Sequence, residues 1–411
     1  MSKPLVSNAL WAVVARLQSS SNPKGTRYPP NIALLFNQGT IMGEATLIWS
    51  EALAWRMRQH MLDPVGLESA AGVVRRLGVI PAQSDAATEL AVCTRRTRSR
   101  LGEVAHALSE GEIIKTFAFR GATHLTTPED GGIYLALRAA SRMWELPTWQ
   151  NYYHLTPADW PRLRERVREA LANGPLTRDE LGAAVTIQPQ FRHLATAFTN
   201  TSSTFLKPLM WQGDMSFGPS RAGQTTFQRL DHNPRWGGLP DLDEAGMRAV
   251  EAYFRTYGPA TDAHVQYWLG EGLGAGRKRI QSWITVLGTR LASVDINGDS
   301  AYILREDLAA LTTTSPSSTV RLLPGYDQWI LGPGTADVHI VPPARRQLVS
   351  RQANIVIVGG VVSGTWSLSD DQVIVAWFAE ASLPAHEALA EEVARLSTIF
   401  DRPLEPRVHI T

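Results

Sequence analysis

Two similar turn signatures recur along the chain, each between a long helical pattern and a short one, and they constrain the fold more than any other feature. The segments N-G-P-L-T at 173–177 and Y-G-P-A-T at 257–261 both end in a threonine that suits a helix N-cap. In the first copy Glu180 follows three residues after Thr177 and completes a capping box. Such self-similarity predicts repeated supersecondary units.

A third helix and a hairpin are predicted after each short helix. In the second copy Asn297-Gly298 lies between alternating strands, which favours a primed two-residue turn. In the first copy the hairpin is predicted between Met210 and Leu230. The order helix, short helix, helix, hairpin is that of a winged helix-turn-helix. A further bent strand or hairpin is predicted at 113–125, where β-branched and aromatic residues surround a glycine.

Composition excludes several classes of protein. With 411 residues, 44% hydrophobic and 19% charged, the chain is predicted to be globular, cytoplasmic and divided into two to four compact units. No apolar run reaches the roughly 20 residues that span a bilayer, and no signal peptide is indicated. Cys93 is the only cysteine and the histidines are scattered, so neither a disulfide nor a metal site is expected.

The net charge of +1 does not by itself indicate nucleic-acid binding, which would require local clusters of positive charge. One cluster ends a predicted helical run and consists of Arg95, Arg96, Arg98 and Arg100. A second cluster, Arg277-Lys278-Arg279, opens the third helix of the second repeat, where a recognition helix presents its N-terminus. Both clusters are either phosphate contacts or ordinary solvated faces.

Five stretches, in this order, resemble the winged-helix DNA glycosylases of the AlkZ and YcaQ type. They are L-G-V-I-P-A-Q-S-D, F-R-G-A-T-H-L-T-T-P-E-D, Y-G-P-A-T-D-A-H-V-Q-Y-W-L-G, L-L-P-G-Y-D-Q-W-I-L-G and V-V-S-G-T-W. The similarity covers the chain from about residue 46 to its end.

The resemblance implies an α+β fold in which three tandem winged helix-turn-helix units form a concave scaffold for DNA. With the sequence pattern, it predicts winged helices at 46–150, 151–237 and 238–312, and a β-rich C-terminal domain, a small sheet or barrel, at 320–411. A helix from Pro384 to Phe400 is expected to close that domain. Residues 1–45 are predicted to form an extension with an amphipathic helix from Asn8 to Gln18.

The resemblance also implies base excision on alkylated purines, including bulky or cross-linked N7 adducts of guanine. The family's catalytic motif is Gln, an apolar residue, then Gln or Asp; here Pro81, Ala82 and Gln83 stand in those places, so the first polar residue is absent. Arg120 and His124 match a second motif and are candidate DNA contacts: Arg120 is expected to contact a phosphate or the lesion, and His124 to contact a phosphate, orient a water or complete a buried network. Asp327 matches a third, for which capping of a turn is expected.

The chemistry of such a lesion suits a glutamine. An N7-alkylated guanine already carries a positive charge, so the enzyme mainly has to place a water against the anomeric carbon. The amide oxygen of Gln83 can orient that water while its NH2 group holds a sugar or phosphate oxygen. Proline offers neither group. Pro81 is otherwise expected to stop the preceding helix, and Gln83 otherwise lies in the first turn of a helix capped by Ser84 or Asp85.

These observations predict a monomeric, cofactor-free DNA glycosylase that acts on N7-adducted or bulky purines in duplex DNA, in repair or in self-resistance to a genotoxic natural product. The catalytic residue would be Gln83, and the DNA contacts are expected from the two clusters with Arg120 and His124. The alternative is a non-catalytic winged-helix protein that binds damaged DNA or sequesters a DNA-reactive small molecule. Regulation of transcription is a weaker alternative, because units that differ this much do not suit a palindromic site.

Overall fold

The fold is described from a computed structural model that places residues 44–382 and 386–411. The predicted helix from Asn8 to Gln18, and nearly all of the predicted extension at 1–45, lie outside these described residues.

The first part of the described chain alternates short helices with short strands. Its elements are β1 (Ala45–Leu47), α1 (Trp49–Gln59), α2 (Ala70–Leu77), β2 (Ile80–Pro81), α3 (Asp85–Cys93), α4 (Glu103–Ser109), β3 (Ile114–Phe117), β4 (Thr123–Thr126), α5 (Pro128–Ala139) and α6 (Pro147–Tyr153). The hairpin expected at 113–125 is confirmed as β3–β4, with a 3-10 turn at Phe119–Gly121 as its tip. Helix α3 ends before the arginine cluster, which therefore lies in the turns after the helix.

The middle of the chain carries the two repeated signatures. Its elements are α7 (Trp160–Ala170), β5 (Leu176–Thr177), α8 (Arg178–Thr186), α9 (Ala195–Thr199), α10 (Lys207–Trp211), β6 (Met215–Phe217), β7 (Thr226–Arg229), α11 (Leu242–Tyr257), α12 (Asp262–Val265), α13 (Arg277–Leu287), β8 (Leu291–Ile296), β9 (Asp299–Leu304) and α14 (Leu308–Leu311). Both predicted caps are confirmed, because Thr177 Oγ1 accepts from Glu180 N and Thr261 Oγ1 accepts from His264 N. The Asn297-Gly298 turn is also confirmed, with both residues at positive φ.

The C-terminal part is built on a five-stranded sheet. Its elements are β10 (Val320–Leu323), α15 (Gln328–Leu331), α16 (Arg346–Val349), β11 (Asn354–Val358), β12 (Val361–Ser369), β13 (Gln372–Trp377), α17 (His386–Phe400) and β14 (Glu405–Ile410). The strands lie in the order β10-β11-β12-β13-β14, antiparallel except for the last pair. The α+β class and the β-rich C-terminal region are thus confirmed, the latter as a sheet with two edges.

Two pairings cross the predicted unit boundaries. One six-stranded sheet consists, in spatial order, of β2, β4, β3, β6, β7 and β5. Its two halves are joined where Lys115 of β3 pairs with Phe217 of β6. Strand β1 pairs in parallel with β8, and Leu47 and Trp55 pack in the same core cluster as residues of β8 and β9. No turn or periodic pattern in the sequence signals contacts between residues so far apart along the chain. The unit boundaries themselves stay a prediction.

An aromatic core fixes the β3–β4 hairpin tip against the second repeat. Phe119 at the tip packs on Trp268, with ring centroids 4.6 Å apart, and Trp268 also meets Tyr134 of α5 and Tyr253 of α11. These large buried rings have well-defined contacts, so they hold the tip in one position. The position of this tip matters because it lies beside the candidate site.

Helices α11 and α13 approach closely at Gly246, and this contact can be tested. A Cβ on Gly246 would lie 2.1 Å from Trp283 Cε2, so Gly246→Ala should lower the free energy of unfolding by about 1–3 kcal/mol despite the better helix propensity of alanine. Denaturant unfolding measures this change. Gly237→Ala is the control, because its nearest atom would be 3.5 Å away. Equal stability of the two variants would contradict this account of the packing.

Candidate functional site

The segment that carries Gln83 is held between a helix end and an edge strand. Helix α2 stops at Gly78, whose φ of 78° is accessible to glycine, and the predicted helix stop at Pro81 is therefore wrong. Pro81 instead lies in β2, opposite His124 of β4 at the edge of the six-stranded sheet. An edge strand tolerates a proline because it needs no ladder hydrogen bond on its outer side.

Ser84 starts the helix that follows Gln83. Its Oγ accepts a hydrogen bond from Ala87 N at 3.3 Å, which confirms Ser84 as the N-cap of α3. Thr88 of the same helix lies with its Oγ1 3.0 Å from the carbonyl oxygen of Pro81. Gln83 thus lies between two fixed points, and its own side chain is exposed while Pro81 and Ala82 are buried.

A narrow cleft separates Gln83 from the C-terminal region. Its walls are formed on one side by Ile80, Pro81, Gln83, Ser84, Ala87 and Ala91, and on the other by Pro324, Gly325, Tyr326, Asp327 and Gln352. The space that a water molecule's centre can occupy is about 10 Å³. This is about the space of a single water. Gln83 therefore faces a compartment that suits one ordered water better than a large ligand.

A buried ion pair joins the two segments that form the walls of this cleft. Arg95 donates through Nη2 to Asp327 Oδ1 at 2.6 Å and through Nη1 to Asp327 Oδ2 at 2.8 Å, and both side chains are fully buried. Asp327 Oδ1 also accepts from Trp329 N at 2.7 Å, so Asp327 caps α15 as the sequence predicted. Both carboxylate oxygens are occupied, which makes Asp327 a poor general base.

The first arginine cluster divides into buried and exposed members. Arg95 cannot reach a phosphate in this structure, so the prediction of a DNA contact is wrong for Arg95; its guanidinium is used for the ion pair. Arg96 is mostly buried, donates to the Glu68 carbonyl oxygen at 2.6 Å and pairs with Glu103, which also leaves little for DNA. Arg98 and Arg100 are exposed and have no ion-pair partner within the described part of the chain.

Arg120 and His124, which the sequence grouped together, differ in their surroundings. Arg120 is exposed at the hairpin tip, at a φ of 51°, with its guanidinium carbon 4.4 Å from the centroid of the Tyr267 ring. His124 is buried, and its Nδ1 lies 3.0 Å from the Ala122 carbonyl oxygen. Burial lowers the pKa of His124 to about 4. The DNA contact predicted for His124 is therefore wrong, because the ring is neutral and inaccessible.

The second basic cluster keeps the placement that the sequence predicted. Arg277, Lys278 and Arg279 are exposed in the first turn of α13, which follows Gly276 without a side-chain cap. The uncapped N–H groups and the three cations favour an anion at the same end of the helix. This cluster stays a predicted DNA contact.

A larger groove opens beside the cleft and shares part of its walls. It measures about 400 Å³ and lies between α3 and the C-terminal sheet, where Leu90, Leu101, Trp366, Leu368 and Phe400 give it an apolar lining. Gln352 and Gly325 border both the groove and the cleft. Sequence reasoning missed Gln352, whose only structural signal is a strained φ of 70°.

Neither a metal site nor a membrane span is found in the described residues. No group of three or more His, Cys, Asp or Glu side chains there could hold a metal ion. None of the helices that the structure describes combines the length and apolar character needed to cross a membrane. The thiol of Cys93 is buried, and burial raises its pKa to about 11.

Comparison with known proteins identifies the class to which this fold and cleft belong. The model of the family described as "DNA glycosylase AlkZ-like" matches residues 74–399, and the chain belongs to this family. The resemblance inferred from the sequence is thereby confirmed.

Two comparisons point to the same relative. An interstrand DNA cross-link repair glycosylase of Streptomyces sahachiroi is 34% identical over 365 residues, which are 87% of this chain and 98% of that protein. The solved structure of the Streptomyces sahachiroi DNA glycosylase AlkZ matches with a TM-score of 0.83 and 32% identity, over 89% of this chain and 100% of that one.

The Arg95–Asp327 pair should contribute strongly to stability. Asp327→Asn or Arg95→Met leaves a buried group without its partner, so the free energy of unfolding should fall by about 3–5 kcal/mol. Glu380→Gln, which breaks the solvent-screened pair with Arg345, should lower it far less. Denaturant unfolding compares the variants. Similar losses in all three would contradict the assigned role of the buried pair.

His124 should make stability depend on pH. The unfolded chain takes up a proton below about pH 6.5, whereas folded His124 does so only near pH 4. Stability should therefore fall between these two values, with His124 contributing up to about 3 kcal/mol of the loss. His124→Asn should make the fall shallower, and His409→Asn, at an exposed position, should not. Urea unfolding at pH 7 and pH 4.5 measures the change in the free energy of unfolding for each protein. If this change is the same in His124→Asn as in the wild type, His124 is not the source of the pH dependence.

Proposed function

We propose that this protein is a DNA glycosylase that hydrolyses the glycosidic bond of N7-adducted or bulky purines in duplex DNA. The observation that carries the proposal is the exposed Gln83 at a cleft with space for about one water. Membership of the AlkZ-like DNA glycosylase family supports it. The proposal extends to a cytoplasmic monomer without a cofactor, acting in DNA repair or in self-resistance to a genotoxic natural product.

The proposed DNA surface consists of three winged-helix units at 46–150, 151–237 and 238–312. The exposed cations at Arg98, Arg100, Arg120 and in the first turn of α13 would contact phosphates along it. These contacts position the duplex and carry no sequence information. Arg95, Arg96 and His124 are left out because each is used inside the protein.

The proposed mechanism needs no strong base. The purine leaves as a neutral base and takes the electron pair of the glycosidic bond, because alkylation at N7 already gives it a positive charge. A water then attacks the anomeric carbon of the resulting oxocarbenium-like sugar and releases its proton to solvent. Gln83 would orient this water through its amide oxygen. The carboxylate of Asp327 lies in the cleft wall, but its pairing with Arg95 withholds it from proton transfer.

Gln352 could take the role of the first glutamine of the family motif, which is absent here. Its exposed side chain borders the cleft from the wall opposite Gln83, and the strained backbone at Gln352 is held by close contact with Gly325. A second amide from another part of the chain, hydrogen-bonded to the same water, would hold that water at two points instead of one. The proposal therefore assigns water orientation to Gln83 and a supporting contact to Gln352.

One observation favours the non-catalytic alternative. Pro81 is buried at the place where the family's first catalytic glutamine is expected, and it offers no polar side chain. In that case the protein binds adducted DNA, or sequesters a DNA-reactive small molecule, without hydrolysis. Tight binding of adducted duplex with the adduct intact after prolonged incubation would support this alternative, and release of free base would exclude it.

Removal of Gln83 tests the proposal directly. Gln83→Ala should slow single-turnover release of N7-methylguanine from duplex DNA by about 100- to 1,000-fold, by analogy with the loss of one preorganised donor. Stability should be unchanged because the side chain is exposed. Gln190→Ala is a matched control at another exposed glutamine. Base release by Gln83→Ala at the wild-type rate would sink the assignment.

A further inference from the structure

Two cations, Arg138 and Lys207, lie together beside the tip of the β3–β4 hairpin, and a third, Arg120, lies in the tip itself. Arg120 lies at the tip, Arg138 near the end of α5, and Lys207 at the start of α10. None of the ion pairs found among the described residues includes any of the three.

Gly121 marks the point where the cations meet the aromatic side chains. A Cβ on Gly121 would lie 3.3 Å from Lys207 Nζ and 4.0 Å from Trp211 Cζ2. Lys207 Nζ lies 5.0 Å from the centroid of the Phe117 ring, and the guanidinium of Arg138 stacks at 4.4 Å from that of Trp211. The aromatic faces hold both cations in place without neutralising them.

In the free protein the charged forms of Arg138 and Lys207 are disfavoured by their surroundings. Burial lowers the pKa of Arg138, and burial together with the charge of Arg138 lowers the pKa of Lys207. Arg138 Nε and Trp211 Nε1 are also buried donors without a hydrogen-bond partner. A site with several donors, two partly desolvated cations and no nearby acid is completed by an anion.

The hairpin tip lies on the same side of the sheet order as Gln83, with one strand between β2 and the phenylalanine that Lys207 contacts. Pro81 pairs with His124, and Ala82 N donates to the Thr123 carbonyl oxygen at 2.9 Å. Gln83 therefore follows β2 close to the hairpin tip. Phe117 is two strands away from β2, or roughly 10 Å, which is about three nucleotides along one DNA strand.

We infer that Arg120, Arg138 and Lys207 form a phosphate-binding site that holds the DNA backbone beside the reacting nucleotide. The inference rests on the proposed function for the identity of the polymer, but it does not require hydrolysis. A phosphate there would balance the two partly desolvated cations and relieve the repulsion between Arg138 and Lys207. It would also fix the distance between the sugar and the water at Gln83.

The salt dependence of binding to undamaged duplex DNA tests this site. Loss of one phosphate contact reduces the slope of log K against log salt by about 0.9. Lys207→Met and Arg138→Gln should each reduce it by about that amount and weaken binding. Arg407→Met is the control, because Arg407 is exposed on the outer strand of the C-terminal sheet. Unchanged slopes in both cluster variants would overturn the inference.

A second probe separates the DNA backbone from a free anion. Thermal unfolding is measured with and without inorganic phosphate for the wild type and Lys207→Met. Phosphate protection of the wild type alone, with an unchanged DNA salt slope in the variant, would mean that the site binds a free anion and would overturn the DNA assignment. A lower slope in the variant, with or without that protection, supports it.

The melting temperature of the Lys207→Met variant without DNA distinguishes a ligand-binding lysine from one that stabilises the fold. Burial and the charge of Arg138 disfavour the charged form of Lys207 in the free protein. Lys207→Met should therefore keep or raise the melting temperature while it weakens DNA binding. A lower melting temperature with an unchanged salt slope would instead make Lys207 a structural residue. Base release is assayed separately, so that the two proposals can fail independently. A reduced salt slope in the variants without base release by the wild type would support the phosphate site and refute the glycosylase. Base release by the wild type with unchanged salt slopes in the variants would support the glycosylase and refute the phosphate site.

Discussion

The buried pair between Arg95 and Asp327 is the interaction on which the candidate site depends. Two charges removed from water are stable only when each satisfies the other, so the turn after α3 and the loop before α15 must stay together. Gln83 begins the segment on one side of this contact, and Tyr326 and Gln352 lie on the other. The cleft exists because the ion pair joins its two walls.

Arg95 and Asp327 neutralise each other at the cleft, whereas the cations around the hairpin tip are not balanced in this way. Asp327 also caps α15, and Arg120, Arg138 and Lys207 have no ion-pair partner among the described residues. A neutral amide in such surroundings suits a reaction whose leaving group is already activated and whose substrate is a polyanion. The arrangement thus places Gln83 after the edge strand β2 and the proposed backbone-holding cations around the tip of the hairpin that pairs with it.

Local signals in the sequence predicted much of the fold. The caps at Thr177 and Thr261 and the turn at Asn297-Gly298 are set by neighbouring residues, and all three are confirmed. The pairing of β3 with β6 and of β1 with β8 joins distant segments, so no pattern of turns or periodicity announces it. Long-range pairing is decided by packing, which a single sequence does not display.

The same limit explains which candidate residues have the exposure that the sequence predicts. Gln83 and the α13 cluster are exposed at the start of helices, and their positions follow from local structure. Arg95 and His124 have the residue types of DNA contacts, but their partners lie elsewhere in the fold and turn them inward. Lys207, Arg138 and Gln352 carry no motif and gain significance only from what surrounds them.

The central claim is that Gln83 holds the attacking water while the neighbouring cations hold the backbone. A crystal structure with duplex DNA that contains a positively charged azasugar nucleotide, a mimic of the oxocarbenium-like sugar, tests it most directly. The account predicts a water within hydrogen-bonding distance of the Gln83 amide and of the azasugar, with an adjacent phosphate at Lys207. An azasugar bound away from Gln83, with no water between them, would contradict it.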